Sequence, residues 1–386
     1  MSLSDDARRH ALTTPAAPDR PNVRIDSTGQ GTAEIVAPAD TDDFDALLAT
    51  MLPEVAVDVV EVLEVRAWGN PEAPYKYVKC RVRRRLDGGR TGRELLAKIG
   101  RRRPRKQADR TDERTLVVAL ADPQIGKAYE AGGGTEETIV RVRSVIEQIP
   151  DHVDRLRRAG QPVSRIVLAN MGDTTEGCYG HYDTQSWTTD LHESDQIAVA
   201  LDLYDHAADT CARIVPDVIC TVVNSNHDQP RTASGRSLTD PTDSRAFTIW
   251  RSLARAYSKA GDRYQHVRWH IPEDPLVSVL DLHGVGLAFV HGHQAKTGAT
   301  AAQKLRTWWD AQKAGDLPAG HCAVLTAGHY HHYYAWEQQG RLLLGCPSLD
   351  GGSQWLTDRS GVWSAPGLLT YTVDENGPDN VRIIRP

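Results

Sequence analysis

Residues 165–177 read RIVLANMGDTTEG, a short apolar run that gives way at once to Gly172, Asp173 and Glu176. A run of this length, bounded by a turn signal, reads as a buried strand. Upstream, residues 115–127 read TLVVALADPQIGK, the same pattern ending on Asp122 and Gln124. Between the two, from about 136 to 159, apolar residues recur at helical spacing, so the stretch reads as a βαβ unit and the fold as α/β. Outward from it, a second long helix is expected over about 191–214, a buried strand at DVICTVV (217–223), and a helix near 241–260. The chain then becomes rich in hairpins: VSVLDL turns at His283 and Gly284 into GVGLAFV, and CAVLTA, YYAWEQQ, RLLLGC and GLLTYTV follow. Two partly mixed sheets are expected.

On the N-terminal side the character changes. At 386 residues the chain exceeds one average domain, which predicts a large domain beginning near residue 113 and smaller material before it. Residues 1–42 lack apolar periodicity and read as a disordered arm. Residues 43–86 hold a helix candidate, Phe44 to Met51, and two β-rich runs, Val57 to Trp68 and Tyr75 to Val82, so they read as a small α+β module. Residues 87–112, rich in Arg and Gly, read as a basic linker interrupted by a short helical turn. The net charge of −6 conceals this: residues 81–110 carry thirteen Lys or Arg against three acids, a local +10. The six cysteines form no CxxC pair, which disfavours a thiolate metal site and reads as structural, reduced thiols. No run of about 18 apolar residues exists, so neither a membrane span nor a secretory leader is expected, and a cytoplasmic location is.

Five apolar runs end on metal-binding side chains. TLVVAL leads to Asp122 and Gln124; RIVLAN to Asp173 and Glu176; ICTVV to Asn226, His227 and Asp228; LAFV to His291 and His293; AVLTA to His329, His331 and His332. Hydrolysis of a phosphate ester needs charge neutralisation on the non-bridging oxygens, a nucleophile ionised at neutral pH, and stabilisation of the leaving oxygen. Two metal ions roughly 3.5–4 Å apart supply the first two. Mixed oxygen and nitrogen ligands suit Mn, Fe, Zn or Ni better than Mg or Ca. Any one of these short motifs alone is weak; five in fixed order, each after a β run, are specific.

The ordered set DxQ, GDxxE, NHD, HGH and GHxH resembles the calcineurin-like metallophosphoesterases, whose pattern is usually DxH, GDxx(D/N/E), GNH(D/E), H and GHxH. The resemblance covers about residues 114–375, including the loop SLDGGSQW. It implies a four-layer αββα sandwich of two mixed β-sheets flanked by helices. It also implies a first metal held by Asp122, Gln124, Asp173 and His331, and a second held by Asp173, Asn226, His291 and His329, with Asp173 as the bridge. His227 would stand near the leaving oxygen as general acid or transition-state stabiliser, and Glu176 in the place of an orienting carboxylate. The implied reaction is phosphodiester hydrolysis by a hydroxide bridging two divalent transition metals, with Mn favoured and Fe, Zn or Ni as alternatives.

Because the chain resembles phage-encoded members and nuclease subunits of DNA-repair complexes, a nuclease acting on DNA or RNA is expected, in the host cytoplasm if phage-encoded. The alternatives are a phosphodiesterase or phosphatase for a small nucleotide or phosphomonoester, and a non-catalytic binding module that keeps the fold. Two positions depart from the pattern: Gln124 stands where histidine is usual, which predicts weaker or oxygen-tolerant metal binding, and Ser225 stands where glycine is usual. His293, Arg231 and Lys127 are candidate substrate contacts, the alternatives being a packed histidine and a surface lysine. His181, Tyr182, Trp187 and Gln196 lie near the motifs in sequence only. Trp308 and Trp309 read as helix-face packing, and His332 as a packed or solvated histidine. The basic run at 81–110 predicts contact with nucleic acid by counterion release, against the plainer reading of a solvated charge run. No membrane partner is expected, and nothing in the sequence sets an oligomeric state.

Overall fold

The computed structural model describes residues 22–25, 30–38, 41–51, 57–70, 73–84, 95, 97–99, 114–128, 133–232, 234–352 and 363–386. They fall into two compact units, divided between Asp87 and Gly88. The first holds a four-stranded antiparallel sheet in the order β1-β2-β4-β3, from β1 (Asn22–Ile25), β2 (Gln30–Pro38), β3 (Val57–Asn70) and β4 (Ala73–Arg84). Helix α1 (Phe44–Met51) contributes Leu48 to a core with Ala33, Ile35, Ala37, Cys80 and Val82.

This corrects the reading of residues 1–42 as a disordered arm, since β1 and β2 lie within them and β2 pairs along its length with β4. Its buried face is Ala33, Ile35 and Ala37, a period of two that two alanines make faint in the sequence. Residues 1–21 lie outside the described residues. Of the expected linker, Leu95, Ala97, Lys98 and Ile99 are described, all helical. Leu95 and Ile99 are buried, and Lys98 lies 3.1 Å from Asp202 and 2.8 Å from Asp205, so this piece is anchored by apolar burial and ion pairs. The arginines of 87–112 lie outside the described residues.

The second unit is built on two sheets. The six-stranded sheet runs β15-β14-β5-β6-β7-β8, from β5 (Thr115–Leu120), β6 (Arg165–Asn170), β7 (Asp217–Val222), β8 (Val267–His270), β14 (Leu368–Asp374) and β15 (Gly377–Ile384). β5 to β8 are parallel neighbours, while β14 and β15 are antiparallel. The five-stranded sheet runs β12-β13-β11-β10-β9, from β9 (Val277–Leu282), β10 (Val285–Val290), β11 (Val324–Ala327), β12 (Tyr334–Gln338) and β13 (Arg341–Gly345), with parallel pairs β10/β11 and β11/β13. Both sheets are therefore mixed.

Alternation assigns the faces. Val117, Ala119, Val167, Ala169 and Ile219 meet Leu287, Phe289, Val324 and Leu344 between the sheets. The outer face of the six-stranded sheet is covered by α4 (Glu193–Ile214), which packs on β6 and β7, and α5 (Arg245–Ser258), which packs on β7 and β8. The outer face of the five-stranded sheet is covered by α6 (Ala301–Ala314), whose Leu305 and Trp309 pack on Ala288, Val290, Leu325 and Leu343. The result is a four-layer sandwich. β5 and β7 are buried throughout, which is why they read as mostly apolar runs. Trp309 donates its indole N–H to the Ala319 carbonyl (2.7 Å), in keeping with a packing role.

The single helix expected over 136–159 is two, α2 (Gly134–Glu147) and α3 (Ile149–Arg158). Pro150 sits in the first turn of α3, where its missing N–H costs nothing, whereas inside one continuous helix it would break a hydrogen bond. No helix among the described residues is long and apolar enough to cross a membrane.

Candidate metal centre

The ends of β5, β6, β7, β10 and β11 converge, each parallel strand delivering its polar residues past its carboxyl end, where ligands of open α/β sheets are bound. The loops carrying them are bent hard. Asp122 (φ 50°), Gln124 (41°), Asp173 (46°), His329 (70°) and His331 (59°) all adopt left-handed backbone. Among the described residues only four other non-glycine residues do so, which places the backbone strain at the site.

Interloop hydrogen bonds hold these conformations. The Asp122 N–H donates to the Gly172 carbonyl (3.2 Å) and the Gln124 N–H to the Asp173 carbonyl (2.9 Å). The Asp122 carboxylate accepts the His329 N–H (3.1 Å to each oxygen). Asp173 Oδ1 accepts the His227 N–H (3.0 Å), and its Oδ2 lies 3.3 Å from His291 Nε2. His291 Nδ1 donates to the Met171 carbonyl (2.9 Å), which turns Nε2 toward Asp173 and toward Asn226 Oδ1 at 3.0 Å. With Nδ1 committed to that carbonyl, Nε2 is the nitrogen that would give up its proton to ligate a metal.

Two donor groups follow. Asp173, His291 and His329 form one, and Asp122, Asp173 and His331 the other; within each, the ligand atoms lie within 4.8 Å of one another. Asp173 belongs to both. Asn226 Oδ1, 3.0 Å from His291 Nε2, lies beside the first of these groups. Gln124, expected in the second, turns its Oε1 to Lys127 Nζ at 2.7 Å. The oxygen and nitrogen donor set fits divalent transition metals.

The electrostatics are those of a buried anionic cluster. Burial raises the Asp122 carboxyl to about 6, against the pull of His331 and His291. Burial would raise Asp173 as well, but His291 and its neighbouring imidazoles hold it well below the usual carboxylate range. Burial opposes protonation of His291, yet Asp173 holds its imidazolium up to about 9. Burial pushes His293 down to about 3, aided by His291. His293 Nδ1 is buried without a hydrogen-bond partner among the described residues, and its ring centroid lies 5.4 Å from that of His291.

Beside the donor groups, His227 Nδ1 donates to the Glu176 carbonyl (2.9 Å) with the Glu176 carboxylate at 3.4 Å, which leaves Nε2 as the nitrogen available to a leaving oxygen. Burial raises the Glu176 carboxyl. Tyr182 donates its hydroxyl to Glu176 Oε1 (2.5 Å), and His181 stacks on His227 with centroids 4.1 Å apart. Arg231 is partly buried and donates to the Gly235 carbonyl (3.3 Å). His332 is half-buried, its Nδ1 bonded to the Tyr330 carbonyl (2.6 Å). Gln196 is no phosphate-facing residue: fully buried, it accepts the Gly177 N–H (2.8 Å) and donates to the Leu191 carbonyl. Lys127 is no surface lysine, its side chain being 16 % exposed.

Four residues that build the site are given no structural role by the sequence. Asp228 is buried and accepts the N–H groups of Thr174 (2.9 Å) and Thr175 (3.1 Å) and the hydroxyls of Thr175 (3.1 Å) and Ser225 (2.8 Å). Ser225, in the place of the usual glycine, accepts the Asp173 N–H at 2.7 Å. Arg245 donates to the His227 carbonyl (2.9 Å) and to Glu193 (2.8 Å). Asp350 lies against Lys127 (2.5 Å) and 3.5 Å from His331 Nδ1. Asp228 and Ser225 lie in the NHD run and Asp350 in the SLDGGSQW loop, but nothing local pairs any of the four with these partners.

The fold and its ligand order resemble those of the calcineurin-like metallophosphoesterases. No family profile matches the chain, and no curated sequence matches it. Solved structures that align with it include Vps29 from Entamoeba histolytica complexed with zinc, at 14% identity and TM-score 0.31, covering 70% of this chain and 98% of that one. Another is a conserved protein from Streptococcus pneumoniae TIGR4 described as a predicted phosphoesterase, at 12% identity and TM-score 0.28, covering 72% and 100%. A third is an archaeal phosphodiesterase, at 11% identity and TM-score 0.31, covering 70% and 99%. At these identities and scores, the likeness alone assigns no activity.

Proposed function

We propose that this protein is a metal-dependent phosphodiesterase acting on nucleic acid. The observation that carries the reading is Asp173: one buried carboxylate shared by two donor groups, with the His227 main chain bonded to it. Asp173, Asn226, His291 and His329 would hold one divalent ion, and Asp122, Asp173 and His331 another. Such ions supply charge neutralisation for a phosphate and acidify water. The chain's own residues do the rest. His227, oriented by the Glu176 carbonyl and held by Arg245 through its main chain, donates a proton from Nε2 to the leaving oxygen. The loop bearing His181 also exposes Tyr179, Tyr182 and Trp187, the last 84 % exposed, and flat aromatic faces suit unpaired bases.

Nucleic acid is favoured over a small phosphomonoester by that aromatic loop together with the +10 run at residues 81–110. The test incubates the purified chain with Mn and labelled single- and double-stranded DNA and RNA, alongside bis(p-nitrophenyl) phosphate and p-nitrophenyl phosphate. Cleavage of a nucleic acid, with the bis ester preferred over the monoester, is expected. Hydrolysis of the bis ester with every nucleic acid intact would reject the nucleic-acid part, and preference for the monoester would reject the diesterase.

A further inference from the structure

Lys127 is the one basic side chain that reaches into the donor cluster from the DPQIGK loop, and its surroundings are unusual for a lysine. Its ammonium lies 2.7 Å from Gln124 Oε1 and 2.5 Å from Asp350 Oδ2. Asp350 in turn lies 3.5 Å from His331 Nδ1, while His331 Nε2 faces Asp122 Oδ1 at 3.5 Å. The Asp350 N–H donates to the Asp122 carbonyl (3.1 Å), so the loop bearing Asp350 is fixed to the strand end that carries Asp122. Asp350 is fully buried, which makes its pairing with Lys127 an internal one.

We infer that Lys127, clamped by Asp350, is a resident cation that weakens the donor group of Asp122, Asp173 and His331 for a divalent ion. Two effects act together. The Gln124 oxygen, a neutral ligand to begin with, is already engaged by the ammonium. The ammonium also neutralises the Asp350 carboxylate, which lies 3.5 Å from His331 Nδ1 and would otherwise add its negative charge to the group. The group of Asp173, Asn226, His291 and His329 includes none of the side chains bonded to Lys127 and binds first. The protein therefore takes up its two ions in unequal steps, the looser one governed by a lysine rather than by ligand loss.

The inference rests on the metal-centre reading above, and calorimetric titration of the full-length, metal-stripped chain with Mn²⁺ separates the two. Wild type is expected to show two steps, the second at least about tenfold weaker than the first, because the group it fills lacks both the Gln124 oxygen and an uncompensated Asp350 charge. In Lys127→Met the weaker step tightens by about tenfold or more, and Lys127→Arg, which keeps the charge, retains the wild-type gap. Lys127→Met/Asp350→Asn leaves no unpaired buried charge and serves if the single variant fails to fold. There only the Gln124 oxygen is released, and tightening of roughly threefold is expected. Two equal tight steps in wild type, or an unchanged gap in Lys127→Met and in the double variant, would overturn the inference while leaving the metal centre standing. No binding in any form would overturn both. A Lys127→Met chain with unaltered titration and a raised KM for a phosphodiester would make Lys127 a substrate contact instead, and would also overturn it.

Discussion

Replacing Asp228 with alanine tests whether the two ligand loops form one unit. The carboxylate accepts four hydrogen bonds: its Oδ1 from the Thr175 N–H and hydroxyl, and its Oδ2 from the Thr174 N–H and the Ser225 hydroxyl. Bonds to a charged acceptor are worth about 1.5–3 kcal/mol each, so the gross loss is on the order of 6–12 kcal/mol. Removing the carboxylate also removes the cost of burying it, several kcal/mol, and a net loss of about 3–5 kcal/mol remains. A domain with a total stability of roughly 5–15 kcal/mol would remain mostly folded but weakened. Thr174 follows Asp173 directly, and Ser225 holds the Asp173 N–H, so freeing both displaces the shared ligand. Urea unfolding followed by circular dichroism measures the first effect, and metal content by mass spectrometry the second. Asp228→Asn, which keeps the volume and one acceptor oxygen, should fall between wild type and alanine. A stability loss under about 1 kcal/mol with unchanged metal content would refute the coupling of the loops.

Other consequences follow from single positions. Gly172 has φ 87°, and a Cβ there would lie 2.6 Å from Ser225 Cβ and 2.9 Å from His291 Nδ1, so Gly172→Ala should lower stability by about 1–3 kcal/mol and loosen metal binding; an unfolding midpoint equal to wild type would contradict this. His227→Ala should lower kcat by roughly 10²–10⁴-fold with metal content intact, and a parallel loss of metal would make His227 structural rather than catalytic. Burial pushes His152 down to about 4, with Arg382 and Arg155 adding to the shift. The unfolded chain protonates this group near pH 6.5 and the folded one does not, so its contribution is full above that pH and is lost as pH falls toward 4. Thermal midpoints across this window should decline less in His152→Gln than in wild type, and identical slopes would count against the assignment.

The candidate ligand positions are legible because parallel strands buried on both faces read as mostly apolar runs, and the polar clusters just after them fall at strand ends. Asp122, Asp173, Asn226, His291 and His329 came from that logic. What failed was either faint or distant. β2 hides because two alanines, Ala33 and Ala37, flank Ile35 on its buried face, and its core is completed from a distance by Leu48 of α1 and Cys80 and Val82 of β4. The break between α2 and α3 was signalled by Pro150 but outweighed by apolar periodicity running across it. Asp350 meets Lys127 from 223 residues away, and Arg245 reaches the His227 carbonyl from the start of a helix, so no local pattern could pair them. Ser225 looked like a departure in sequence, yet its hydroxyl is the acceptor for the Asp173 N–H.

The metal dependence of phosphodiester hydrolysis tests the central claim most directly. The purified chain is stripped with chelator, assayed on bis(p-nitrophenyl) phosphate, and reassayed after addition of Mn, Zn, Ni or Fe(II), with Asp173→Ala in parallel. The stripped protein should be inactive, at least one of these ions should restore turnover, and Asp173→Ala should neither bind metal tightly nor recover. Turnover that persists without metal, or that survives in Asp173→Ala at the wild-type rate, would contradict a centre built around that shared carboxylate.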